Sequence, residues 1–128
     1  MKLLLDTHTF LWFIGGSDRL SQTARSLIED RDNQPFLSMA SLWEMAIKTS
    51  LGKLELSLPL EELIPEQMSL NGIGLLGIHI EHVAAVAQMP FHHRDPFDRL
   101  LIAQAQIEEL SIVGADGSFD AYAITRLW

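Results

Sequence analysis

The 128-residue chain contains no cysteine, so it can form neither a disulfide bond nor a thiolate metal site. Basic residues are scarce, because nine Lys and Arg face 17 Asp and Glu and leave a formal net charge of −8. This balance excludes a broad basic face for nucleic acid, although it permits a local phosphate site. No apolar run approaches the roughly 18 residues of a membrane span, and Asp6 interrupts the apolar start before it resembles a signal peptide. We therefore expect a cytoplasmic protein.

Apolar residues make up 48% of the chain, which is enough for a core that needs no covalent crosslinks. The composition predicts one globular domain over residues 1–128. Short apolar runs alternate with helical patterns, which predicts strands at 3–5, 36–38, 73–78, 111–114 and 123–128, helices at 7–14, 21–31, 39–51, 81–88 and 95–109, and a less regular helix near 59–65. This alternation predicts an α/β fold, a three-layer α/β/α sandwich around a parallel sheet of about four to five strands.

Four acidic residues fall where this fold would bring them together, at the carboxyl edge of the sheet. Asp6 directly follows the first predicted strand, and Asp116 follows the fourth by two residues. Glu44 lies just over one turn into a predicted helix, and Asp98 lies in the first turn of another. Each acid alone has an ordinary use as a helix cap, a dipole partner, an ion pair or a turn residue. Together they would repel one another, which predicts a bound cation.

The ligand chemistry of this acid set favours Mg²⁺ or Mn²⁺, because it offers oxygen atoms without cysteine or a clear histidine set. Such an ion lowers the pKa of a bound water for in-line attack on a phosphodiester, and a second ion about 3.5–4 Å away would stabilise the leaving oxygen. The pattern thus predicts hydrolysis without a protein nucleophile. We expect Glu44→Gln to raise the metal-free thermal stability by relieving repulsion between like charges.

Three segments of the chain also resemble a known family. They read LLDTH at 4–8, SMASLWEMAIK at 38–48 with LGKL at 51–54, and HHRDPFDRLLIAQA at 92–105. In this order, and with Asp116 near the end, the chain resembles PIN-domain proteins of the VapC toxin type over essentially its whole length. The resemblance implies an α/β/α fold, a Mg²⁺- or Mn²⁺-dependent endoribonuclease and a homodimer. It further implies a small antitoxin encoded beside the toxin, through which the complex binds operator DNA.

The resemblance assigns residues by motif position. Asp6, Glu44 and Asp98 match the three family carboxylates, and Asp116 matches a fourth, more variable acid. All four are therefore predicted to be catalytic residues and metal ligands. The chain departs from the pattern at Gly114, where many relatives carry Thr or Ser. A hydroxyl that could orient a water or a phosphate is missing there.

Four further residues are predicted to bind substrate: Lys48, Arg99, Ser38 and Thr7. Lys48 lies one turn past one acid of the set and Arg99 directly follows another, so both are candidates to hold an RNA phosphate. Ser38 and Thr7 offer hydroxyls for a metal-bound water. The same residue types also serve as ion-pair partners, solvent-facing cations and helix caps.

Other functions remain as alternatives. A catalytically silent PIN-like domain would bind RNA or a partner protein without cutting. His92 and His93 would be the candidates for metal-free acid and base cleavage of RNA, although adjacent side chains rarely face one reacting centre. A phosphorylation receiver is also an acidic α/β domain. Receivers carry an acidic pair after the first strand and a late lysine, whereas Asp6 stands alone here and the last lysine is Lys53.

Overall fold

A computed structural model describes residues 1–128 as five parallel strands surrounded by helices. The strands are β1 (Lys2–Leu5), β2 (Gln34–Ser38), β3 (Gly74–Leu76), β4 (Ser111–Val113) and β5 (Arg126–Leu127). The helices are α1 (Thr7–Gly15), α2 (Gln22–Glu29), α3 (Met39–Ser50), α4 (Leu60–Asn71), α5 (Ile80–Gln88) and α6 (Pro96–Glu108), with a 3₁₀ turn at Gly117–Ala121. The strand order is β3-β2-β1-β4-β5 and every neighbouring pair is parallel. The predicted fold class is confirmed.

The sheet separates two apolar cores, because successive side chains of a strand point to opposite faces. Leu3 and Leu5 of β1 pack in one core with residues of α1, α2 and α4, whereas Leu4 packs in the other with residues of α6. All three leucines are fully buried. Burial on both faces explains why β1 is a continuous apolar run instead of an alternating one.

Local signals in the sequence set the ends of several helices. The Ser21 hydroxyl accepts a hydrogen bond from a backbone N–H and begins α2. Asp95 accepts two backbone N–H bonds at the start of α6, and Pro96 follows at the first helical position. Gly16 takes a left-handed conformation with φ of 64° and ends α1, a geometry that glycine adopts without steric cost.

The weakest sequence signals gave the largest boundary differences. The strands predicted at 73–78 and 123–128 are shorter, and the turn after Asp116 continues as a 3₁₀ helix. The irregular region near 59–65 belongs to a continuous helix, α4, which runs through Pro65. None of the helices is both long and apolar enough to cross a membrane.

The centre of the sheet brings three chain segments to one edge. β1 lies between β2 and β4, and the register places Leu5 opposite both Leu37 and Val113. The first helices after β1 and β2 therefore begin side by side at the carboxyl edge. α6 begins at the same edge, because it leads into β4 and runs antiparallel to it. This arrangement positions the four predicted acids.

Candidate active site

Asp6 is held at the end of β1 as a buried carboxyl group. It occupies the position before α1 but makes no side-chain capping hydrogen bond, so capping does not explain it. Its side chain is 7% exposed. Burial, assisted by the charges of Glu44 and Asp116, raises the pKa of Asp6 to about 6, although His8 and the Thr7 backbone N–H act to lower it.

Glu44 reaches the same edge from α3 and is the acid with partners. Its side chain is almost fully buried. Lys48 Nζ donates to Glu44 Oε2 at 2.7 Å, and Thr7 Oγ1 donates to Oε1 at 2.7 Å. The Thr7 hydroxyl also lies 2.8 Å from Ser41 Oγ. The hydrogen bond that Lys48 donates to Glu44 raises the pKa of Lys48, so the lysine remains charged. We refer to Glu44, Lys48, Thr7 and Ser41 as the Glu44 side of the site.

Asp98 lies in the first turn of α6, and its pKa is raised more than that of Asp6. Burial raises its pKa to about 8, together with the charges of its acidic neighbours, which are Asp6, Asp95, Glu44 and Asp116. A carboxyl group with this pKa holds its proton at neutral pH unless a cation compensates the surrounding charge. The four predicted acids therefore do interact electrostatically at one edge of the sheet.

Asp116 lies at the rim of this cluster. Its side chain is 52% exposed, and its Oδ1 accepts the backbone N–H of Ser118 at 2.9 Å. That bond lowers the pKa of Asp116, so the group is ionised at neutral pH. Asp116 thus caps the 3₁₀ turn with one carboxylate oxygen and leaves the other free to face the cluster.

Gly114 explains part of this close arrangement. A Cβ atom at this position would lie 3.2 Å from the Cβ of Asp6. The chain after β4 therefore approaches the Asp6 side chain more closely than a larger residue allows without a small shift. The departure from Thr or Ser removes a hydroxyl and also leaves room for Asp6.

His93 is a member of the cluster that the sequence did not predict. Its Nε2 lies 3.1 Å from Asp98 Oδ2 and 3.7 Å from Asp116 Oδ2. One ligand atom from each of the three residues lies within 4.8 Å of the others. His92 turns away and packs edge-on against Tyr122, so the two histidines do not face one centre. The position of His93 two residues before the Asp95 cap is the signal that could have identified it. We refer to Asp98, Asp116 and His93 as the Asp98 side.

Arg99 has a different role from the one predicted. Its side chain is only 4% exposed. The guanidinium donates hydrogen bonds to four backbone carbonyls, which belong to Val86, Met89, Pro90 and His93. Tyr122 donates to the Pro90 carbonyl as well. The predicted contact of Arg99 with an RNA phosphate is therefore corrected, because a buried and fully engaged guanidinium holds the segment before α6.

Ser38 and Thr7 are also buried. Ser38 Oγ donates to Gln104 Oε1 at 2.6 Å and accepts the Ala40 N–H, so it caps α3 instead of binding substrate. Thr7 is 2% exposed and reaches the site only through Glu44. Lys48 is the one predicted substrate-binding side chain with substantial exposure, at 38%. Its contact with substrate stays a prediction.

The donor set fits a hard divalent cation. Four carboxyl groups meet at one edge of the sheet. Lys48 forms a salt bridge with one of them, Glu44. Carboxylate oxygens are the ligands that Mg²⁺ and Mn²⁺ prefer. Burial and the neighbouring acids together raise the pKa of Asp98, and a bound cation would oppose both effects.

Comparison with known families and proteins gives a consistent result. The family described as PIN domain matches residues 3–124. The protein named Ribonuclease VapC16, from Mycobacterium tuberculosis strain ATCC 25618 / H37Rv, is 35% identical over 68 residues. That alignment covers 53% of this chain and 48% of the relative, so the chain matches about half of the relative's length.

Solved structures share the fold at low sequence identity. One is the structure of VapBC2 from Rickettsia felis bound to a DNA fragment from their promoter, with a TM-score of 0.74, 12% identity and coverage of 99% of this chain and 98% of that one. Another is a toxin-antitoxin complex from Klebsiella pneumoniae, with a TM-score of 0.66, 15% identity and coverage of 98% and 96%. At these identities the similarity establishes the fold.

Proposed function

This chain belongs to the PIN domain family, and from that premise we propose that it is a divalent-metal-dependent endoribonuclease that acts as the toxin of a type II toxin–antitoxin pair. The name of its relative Ribonuclease VapC16 supports RNA as the substrate. The structural neighbours, which include the toxin-antitoxin complex from Klebsiella pneumoniae, support the toxin role. This function requires that the acid cluster bind a divalent cation that activates water.

The observation that carries this proposal is the crowding of buried acids around Asp98. Its pKa of about 8 reflects burial and the charges of neighbouring acids. A fold that maintains such repulsion in its metal-free form gains stability when a cation binds there. A structural ion pair joins opposite charges, so it would not require several acids to lie close together.

We assign Asp6, Glu44, Asp98 and Asp116 as the residues that hold the cation, which we propose to be Mg²⁺ or Mn²⁺. The ion would supply Lewis-acid activation of water for attack on an RNA phosphodiester. Thr7 and Lys48 hold the Glu44 carboxylate in place through two hydrogen bonds of 2.7 Å. The exposed part of Lys48 is the proposed contact for an RNA phosphate.

The overall charge of −8 makes the proposed RNA binding dependent on the cation. Four of the 17 acids belong to the proposed site, and their charge would repel a phosphate backbone in the metal-free protein. A bound divalent ion would replace this repulsion by attraction between the site and a phosphate group. We expect weak RNA affinity without metal and stronger affinity with it.

We propose two protein partners, a small antitoxin encoded beside the toxin gene and a second copy of this chain. Exposed apolar side chains support a protein partner, since Ile80 is 86% exposed, Phe91 is 83% exposed and Val83 is 56% exposed around α5. Operator DNA would be bound through the antitoxin. We place this activity in the cytoplasm, where the RNA substrate is.

The decisive experiment is RNA cleavage by purified, antitoxin-free protein with Mg²⁺, with Mn²⁺ and with a chelator. We expect cleavage only with metal, and a loss of at least about 100-fold in Asp6→Asn and Asp98→Asn. Asp18→Asn is the matched control, because Asp18 is an exposed acid outside the cluster and should cleave as the wild type does.

The alternatives predict different results in the same experiment. A catalytically silent domain would bind RNA but leave it intact under every condition. Cleavage by the histidines would survive the chelator and both Asp→Asn substitutions. Either result would contradict the proposed function.

A further inference from the structure

His93 is held in the site from three directions. Its backbone N–H donates to Tyr122 Oη at 3.0 Å, and its carbonyl accepts from Arg99 Nη1 at 3.4 Å. Its Nδ1 accepts the backbone N–H of Asp95 at 3.2 Å. The same Arg99 and Tyr122 side chains bind the Pro90 carbonyl. These contacts fix the orientation of the ring towards the acid cluster.

The contact at Nδ1 determines what the other ring nitrogen does. A nitrogen that accepts a hydrogen bond carries no proton, so Nε2 carries the proton of the neutral ring. Nε2 is a donor in the charged ring as well. A protonated nitrogen has no lone pair for a metal ion, so His93 in this orientation is not a metal ligand.

The Nε2–H group faces two carboxylate oxygens at once. It lies 3.1 Å from Asp98 Oδ2 and 3.7 Å from Asp116 Oδ2, yet it is shielded from solvent and makes no well-directed hydrogen bond to either. A buried donor without a full partner is costly, and such groups mark functional positions. The positive end of the N–H dipole is therefore directed at the oxygens that a cation would use.

We propose that His93 is a positioning residue that stands in for the cation between Asp98 and Asp116 in the metal-free protein. This inference rests on the metal site of the proposed function. The Nε2–H directs its positive end at the oxygens of Asp98 and Asp116 when no metal is present, and it competes with a metal ion for the same oxygens. Removal of this group should tighten metal binding.

The test is Mn²⁺ binding to antitoxin-free protein, measured by isothermal titration calorimetry at neutral pH. We expect His93→Ala to lower the Kd for Mn²⁺ about three- to tenfold, the range that corresponds to one hydrogen bond. His93→Gln keeps an N–H donor and an acceptor for the Asp95 N–H, so it should bind Mn²⁺ nearly as the wild type does. His92→Ala is the matched control, because His92 contacts Tyr122 and no acid of the site.

The possible results separate the two proposals. A gain in affinity in His93→Ala that His93→Gln reverses supports the role of His93, since a merely loosened loop would weaken binding. Unchanged or weaker Mn²⁺ binding in His93→Ala overturns that role and leaves the nuclease untouched. Mn²⁺ binding without RNA cleavage by the wild type overturns only the nuclease. A wild type that binds no Mn²⁺ overturns both.

Discussion

The two sides of the acid cluster differ in how their charge is compensated. On the Glu44 side, the carboxylate has a lysine and a hydroxyl as hydrogen-bond donors, both at 2.7 Å. On the Asp98 side, the pKa of Asp98 is raised to about 8, and the nearest donor is the poorly directed Nε2–H of His93 at 3.1 Å. The protein's own donors compensate the Glu44 carboxylate, whereas an ionised Asp98 would need an additional positive charge.

This difference separates two tasks that the sequence assigned equally to all four acids. Glu44 is oriented before any cation arrives, because its partners belong to α1 and α3. Asp98 lacks such partners and cannot ionise at neutral pH without a compensating cation, and Asp116 beside it is ionised. Metal dependence should therefore originate on the Asp98 side.

The largest expected effect comes from Arg99, which holds the segment before α6 through buried hydrogen bonds. Arg99→Ala removes a buried guanidinium and leaves four backbone carbonyls without their donor. We expect a loss of about 3 kcal/mol or more in the free energy of unfolding, measured by urea denaturation. The Glu44 side shares none of these contacts.

Arg94→Ala is the control for this prediction. Arg94 is an exposed neighbour on the same segment, and its removal should change the free energy of unfolding by less than about 0.5 kcal/mol. Equal effects of the two substitutions would show that the buried hydrogen bonds of Arg99 do not hold the segment.

The next effect contrasts Asp98→Asn with Glu44→Gln in the metal-free protein. Carboxyls in the unfolded chain ionise near 3.8, whereas folded Asp98 holds its proton to a pKa of about 8. The wild type should therefore lose stability as pH rises from about 4 to 8. Asp98→Asn should remove much of this loss and raise the free energy of unfolding at pH 8 by about 2 kcal/mol.

Glu44→Gln should act in the opposite direction and lower stability by about 1 to 2 kcal/mol, because it removes the charged partner of Lys48. The structure thus changes the sequence-based expectation that Glu44→Gln is stabilising. Thermal melts between pH 5 and pH 8 with a chelator measure both variants. Stabilisation of equal size in the two variants would abolish the distinction between the two sides.

The smallest expected effect is at Gly114. Gly114→Ser adds a Cβ atom 3.2 Å from that of Asp6, so the Asp6 side chain must shift by a few tenths of an ångström. We expect a loss of about 0.5 to 1 kcal/mol in the free energy of unfolding and a smaller rise in Tm on addition of Mn²⁺. Gly15→Ser is the control, because no atom lies within 4 Å of its added Cβ. An unchanged Mn²⁺ response in Gly114→Ser would mean that Asp6 tolerates the closer contact.

Much of the fold could be predicted because its signals are local. The apolar run of β1, the Ser21 and Asp95 caps and the glycine after α1 each identify an element from a few adjacent residues. The β/α alternation then favours a parallel sheet, which places the ends of its strands at one edge. The expectation that Asp6, Glu44, Asp98 and Asp116 converge follows from this topology.

The errors among the predicted site residues have one physical cause. The sequence does not reveal in which direction a side chain points. Arg99 is adjacent to Asp98 in the chain, yet successive residues on a helix face different directions, and Arg99 points into the protein. Ser38 ends β2 and is fully buried, which its position in the sequence does not reveal. His93 has a local signal in its position before the Asp95 cap, but its direction towards the acids also depends on Tyr122, which is distant in sequence.

The sequence by itself determined the family and the order of strands and helices, and it predicted the four acids, because all of these depend on local patterns and motif spacing. Only the tertiary structure decided which acids are compensated. Whether a carboxyl group gains a lysine, a hydroxyl or a second acid as neighbour depends on packing between α1, α3, α6 and the segment before α6. Burial then increases the difference in free energy between a compensated and an uncompensated carboxylate, since charges interact more strongly away from water.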